Sequence, residues 1–132
     1  MIIIKNSQLN NDTVVALNKL IDMDINAKLA FKLMRIIKEV SSLLEDKVKL
    51  EKKIFDKWLE RDANGEAVPA RNENGEIIEG AVKLKDGDAF NMEMSELLSI
   101  ENEIGYEAVD FEELNLETAK IKDLMKIDFL FK

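Results

Sequence analysis

Between Asn26 and Asp62 the chain contains neither Gly nor Pro, and its apolar residues recur at helical spacing throughout. Ala30, Leu33, Ile37, Val40 and Leu44 fall on one stripe of a 3.6-residue helix. Lys47 interrupts the stripe, which resumes one position later through Val48, Phe55 and Leu59, with Ile54 and Trp58 alongside. The pattern predicts one long amphipathic helix over residues 27–61, with Asn26 as its cap. Thirty-five residues at 1.5 Å each span roughly 50 Å. A compact chain of this length has a diameter of only about 36 Å, from the usual scaling of radius of gyration with length. A helix without Pro or Gly does not kink sharply, so its far end is expected to lie away from the main core. Ile54, Phe55, Trp58 and Leu59 at that end need cover, either from the following loop or from another molecule, and they are the candidate partner-binding residues.

The rest of the chain is ordered around this helix. Met1 to Lys5 is β-branched and reads as a short strand. Asn10, Asn11 and Asp12 offer caps for a short helix whose face is Val14, Leu17 and Ile21. All five Gly and the one Pro lie beyond Asp62. Asn64-Gly65 and Asn74-Gly75 predict type I′ hairpin turns in an excursion over residues 63–86. Glu66 to Arg71 and Glu76 to Val82 are the arms around the second turn, with Pro69 confined to an edge. Asp86 or Asp88 can cap a helix bearing Phe90, Met94 and Leu97. Ile104 to Glu107 is the first candidate to pair with Ile2 to Ile4. Phe111, Leu114 and Leu116 suit a turn-rich connection, and Thr118 can cap a last helix through Ile121, Leu124 and Met125. The final residues fit either a helix ending in an apolar tail or a half-buried strand through Ile127, Phe129 and Phe131. The predicted fold is α+β, mainly α. It is a single domain with a helical hairpin, one dominant helix, a shorter C-terminal helix pair and a small two- or three-stranded sheet.

Composition narrows the chemistry. The chain has no Cys, which removes disulfides, thiolate metal sites and thiol nucleophiles. It has no His, which removes the usual general base near neutral pH and the commonest metal ligand. No metal or cofactor is expected, and the expectation is a protein that is not an enzyme. The net charge of −8 is uneven: residues 27–62 carry +3 and residues 63–132 carry −10. Phosphate-backbone binding wants a concentrated positive field, so no nucleic-acid partner is expected. No apolar run is long enough to span a bilayer, so no membrane role is expected and the chain reads as soluble.

Candidate sites compete with plainer readings. The Asp62-to-Glu66 loop has its Gly at the wrong position for a calcium loop, and reads as a turn. Lys47, Lys49, Lys52, Lys53 and Lys57 form either a solvated face with local pairs such as Glu45–Lys49 and Lys53–Asp56, or a contact surface for an acidic partner. Glu107, Asp110, Glu112 and Glu113 beside Tyr106 and Phe111 solvate a connection, or supply acid–base groups or ligands for a divalent ion, or mimic nucleic acid toward a basic protein.

Ile4 to Leu9 (Ile-Lys-Asn-Ser-Gln-Leu) lies at the opening of the sequence, and Ala27 to Leu33 (Ala-Lys-Leu-Ala-Phe-Lys-Leu) leads the long charged helix. A turn-rich Asp/Asn-Gly-Glu segment follows, then Phe90 with Ser95-Glu-Leu-Leu98, and Asp123-Leu-Met125 near the end. In these features the chain resembles small acidic proteins of tailed bacteriophages, a group without an assigned role. The resemblance implies a phage setting: the cytoplasm of the bacterial host or the virion. The expected function is protein binding or virion assembly through the long helix and its distal end, with a phage structural protein, a host protein or a second copy as partner. The alternative is a phage inhibitor docking on a host protein through its acidic C-terminal half.

Overall fold

A computed structural model describes residues 1–23, 25–110 and 121–131. The fold is α+β and mainly α, as the sequence predicts. The order is β1 (Ile2–Lys5), α1 (Asn11–Ile21), α2 (Ala27–Trp58), β2 (Pro69–Arg71), β3 (Ile77–Val82), α3 (Gly87–Ser99), β4 (Glu101–Ile104) and α4 (Ile121–Met125). The chain divides into two compact units: residues Met1–Lys47 with Leu98–Lys132, and residues Val48–Leu97.

The first unit holds a continuous apolar core. β1 and β4 pair antiparallel, with Ile2 opposite Ile104 and Lys5 opposite Glu101. Alternation along the pleat turns Ile2, Ile4 and Ile104 inward and leaves Ile3 outside. The strand lies three residues earlier than Ile104 to Glu107, although Ile104 is shared. Its inward slot at Asn102 is polar, and the Asn102 amide donates to the Ile4 carbonyl at 3.1 Å and to Asn6 Oδ1 at 2.8 Å. Asn10 caps α1 by accepting the Thr13 amide at 2.9 Å, and the buried Thr13 hydroxyl donates to the Gln8 carbonyl at 2.7 Å. Asn26 caps α2 by accepting the Leu29 amide at 2.8 Å. The α2 stripe is centred on Leu29, Leu33, Ile36 and Val40, with Ile37 and Leu44 at its margin.

Near the C-terminus the expected helix is present as α4, and the apolar tail after it is not a strand. Asp128–Leu130 is a single 3-10 turn. It buries Ile127 and Leu130, three residues apart, so Leu130 takes the inward place that strict alternation would give to Phe129. The Leu130 carbonyl accepts the Val109 amide at 2.7 Å. Phe111, Leu114, Leu116 and Thr118 lie outside the described residues.

The second unit begins inside α2, at the position following Lys47. The Lys47 ammonium donates to the Leu9 carbonyl at 2.7 Å within the first unit, which satisfies the charge that interrupts the stripe. α2 ends at Trp58 rather than at residue 61. The Leu59 amide still reaches the Phe55 carbonyl at 2.9 Å, but the Glu60 amide turns to the Lys83 carbonyl at 3.0 Å. A main-chain partner just beyond β3 thus outcompetes the last helical turn.

Two turns of one design follow. Arg61-Asp-Ala-Asn-Gly-Glu66 and Arg71-Asn-Glu-Asn-Gly-Glu76 are ten residues apart in phase. In the first, Asp62 Oδ1 accepts the amides of Asn64 and Glu66; in the second, Asn72 Oδ1 accepts those of Asn74 and Glu76. Arg61 donates to the Gly65 carbonyl at 2.9 Å and Arg71 to the Gly75 carbonyl at 2.8 Å. Gly65 and Gly75 both sit at φ +79°, while no described non-Gly residue has positive φ. A type I′ turn requires positive φ at two positions, so these are not type I′ turns. The Asx side chain does the work that the preceding Asn was expected to do.

Candidate functional site

The four candidate residues lie together in the second unit, and the structure separates them into covered and open. Leu59 is buried and forms an isolated bridge with Leu84. Trp58 is half-buried: its carbonyl accepts the Lys85 amide at 2.6 Å, and its indole Nε1 donates to Glu93 Oε2 at 3.3 Å. Ile54 is half-buried. Phe55 stays 37% exposed and meets the edge of Phe90, with ring centroids 6.3 Å apart. The cover therefore comes from residues that follow in the chain, principally α3.

α3 is placed by Asp86, whose Oδ1 accepts the Ala89 amide at 3.1 Å, while Asp88 lies in the first turn, where its charge complements the helix dipole. The helix brings Phe90 to Phe55 and Glu93 to Trp58. Lys57 forms an ion pair with Glu93 and lies 5.0 Å from the centroid of the Trp58 ring. The Lys57 hydrogen bond, then that of Trp58, hold the Glu93 carboxyl below the usual glutamate range. The lowered acid is a pinned carboxylate, since both of its partners favour the ionised form. Sequence reasoning missed Glu93. Its partners are 35 and 36 residues away, beyond any local spacing rule.

The basic cluster is paired differently from the local expectation. Among the described residues Asp56 pairs with Arg61 at 3.8 Å, and Glu60 with Lys83 at 3.2 Å. No Glu45–Lys49 or Lys53–Asp56 ion pair is found among the described residues. Of the acidic group near Tyr106, Glu107 and Asp110 are exposed, and Glu112 and Glu113 lie outside the described residues.

Apolar side chains also remain open along this part of α2. Val48 and Phe55 share one face at i, i+7, whereas Leu50 and Ile54, at i, i+4, lie on a different side of the helix. Val48 is 54% exposed and Leu50 45%. Such an arrangement offers apolar contact area. Among the described residues no group of three or more acids is placed to hold a metal ion, and no helix is long and apolar enough to cross a membrane.

By fold the chain is an α+β protein dominated by one helix of 32 residues. No protein-family model, curated protein or solved structure matches it.

Proposed function

We propose that this chain is a phage-encoded protein-binding or assembly protein, not an enzyme, that engages another protein through α2 and its distal end. The observation that carries the reading is the open apolar face that Val48 and Phe55 share on the distal part of α2: both stay accessible although Trp58 and Leu59 beside them are covered. Exposed apolar side chains grouped on one element are the usual mark of a contact surface. The phage setting rests on the resemblance carried by Ile4 to Leu9 and Ala27 to Leu33. Within the candidate set, Phe55 with Ile54 supplies contact, and Trp58 with Leu59 supplies the frame that holds them.

Photo-crosslinking from position 55 in phage-infected cells tests this. A single discrete adduct from positions 48 and 55, and none from position 71, is the expected result. Against the purified adduct partner, Phe55→Ala should weaken binding by about tenfold, the range of an interface anchor. Trp58→Ala should lower the melting temperature more than it lowers affinity. No adduct from either helix position would overturn the proposal.

A further inference from the structure

A second open face lies at the other end of α2, and it is basic. From Lys28 to Lys38 the helix carries four cations and no carboxylate, in a chain of net charge −8. Among the described residues Lys28, Lys32 and Lys38 make no ion pair, and Arg35 lies over the Phe31 ring at 4.8 Å. Phe31 is 57% exposed and Met34 50%. These residues flank the side of the helix opposite the buried stripe of Leu29, Leu33, Ile36 and Val40. Desolvating an aromatic and a thioether beside unneutralised cations requires an occupant that is both apolar and acidic.

The same chain presents such a surface. On β3 and the turn before it, Ile77 is 58% exposed and Ile78 44%. Glu79 shares a face of the strand with Ile77 and Glu76 shares the other with Ile78, while Glu73 lies in the turn; all three are exposed, and among the described residues none pairs with a cation. The lengths agree: eleven helical residues and five or six strand residues each span about 16–20 Å. We infer that the Lys28–Lys38 face of one copy docks on the β3 hairpin of a second copy. The contact joins two different surfaces, so it is heterologous. It is independent of the distal site proposed above, which shares none of these residues.

The experiment is sedimentation of the purified full chain. At about 100 µM chain and about 50 mM salt, where surface charges are least screened, the mass should be that of two or more chains. Raising salt to about 500 mM should weaken the association about tenfold, as expected for an electrostatically matched interface. Lys28→Glu with Arg35→Glu should leave a single-chain mass, and so should Glu76→Lys with Glu79→Lys. Mixing these two variants should restore association, because each now supplies what the other lacks. Far-UV circular dichroism matching the parent shows that the variants fold, and failure of one variant leaves the other to decide. A single-chain mass at low salt, or association that ignores both charge reversals, would overturn the inference. So would basic-face-dependent binding to vesicles of anionic lipid or to single-stranded DNA without self-association.

Discussion

The two units of this chain are built on different principles. In the first, β1, α1, α2 and β4 contribute to one apolar cluster from Ile2 to Leu130 whose members are buried almost completely. In the second, Leu59 and Leu97 are the buried apolar side chains among the described residues, and every residue from Arg71 to Gly80 is exposed. What holds the second unit is main-chain hydrogen bonding, two Asx-anchored turns and a few ion pairs on the surface. Apolar burial stabilises by roughly 1.5–3 kcal/mol per large side chain, whereas exposed ion pairs contribute about 0–1 kcal/mol. The first unit should therefore open only with global unfolding and the second through smaller, local steps. The contrast also suits the proposed role, since a surface kept open for a partner cannot also be buried in a core.

The largest single effect should come from Leu33, at the centre of the first core. Leu33→Ala should cost about 2–5 kcal/mol of global stability, the range for a buried leucine cavity, measured by denaturant unfolding. Gly75→Ala should matter less and locally. Its φ of +79° strains any residue with a Cβ by about 1–2 kcal/mol. Faster exchange of the Asn72 amide, which donates to the Glu76 carbonyl at 2.8 Å, would report it while the first unit is unchanged. A comparable loss in both units would mean that they are one cooperative body.

Glu93→Gln should be smaller again and depend on pH. The native Glu93 pKa is lowered, so its contribution is present above the ordinary glutamate range and lost as pH falls through the lowered native value. Trp58 is the sole tryptophan and touches Glu93, so its fluorescence reads this directly. Parent and variant should differ at neutral pH and converge in acid. Replacing residues 67–80 by a short Gly-Ser link should affect the first unit least of all, with amide spectra of its core unchanged. Wholesale unfolding would contradict the division.

Much of the helical framework was legible from local pattern. The spacing from Ala30 to Leu44 locates α2, and Asn10, Asn26 and Asp86 act as the caps their positions suggest. Non-local chemistry was not legible. Lys47 reads as a break in the stripe because its acceptor, the Leu9 carbonyl, is 38 residues away. β4 is hidden because Glu101 and Glu103 occupy outward slots and Asn102 an inward one that the distant Ile4 carbonyl and Asn6 side chain make tolerable. At the candidate site, the positions of Ile54, Phe55, Trp58 and Leu59 on one end of α2 followed from spacing. Which of them would be covered did not, because Phe90, Leu84 and Glu93 come from later elements. One signal was present in the residues themselves: the repeat Arg-Asx-x-Asn-Gly-Glu, ten residues apart, marks both turns and their shared hydrogen bonds.

Native-state hydrogen exchange, resolved by residue, tests the contrast between the two units most directly. The amides of Ile4, Leu17, Leu33 and Val40 should exchange only at the free energy of global unfolding, and those of Asn72 and Lys83 at a much lower one. Equal protection in both sets, falling together with denaturant, would contradict the account.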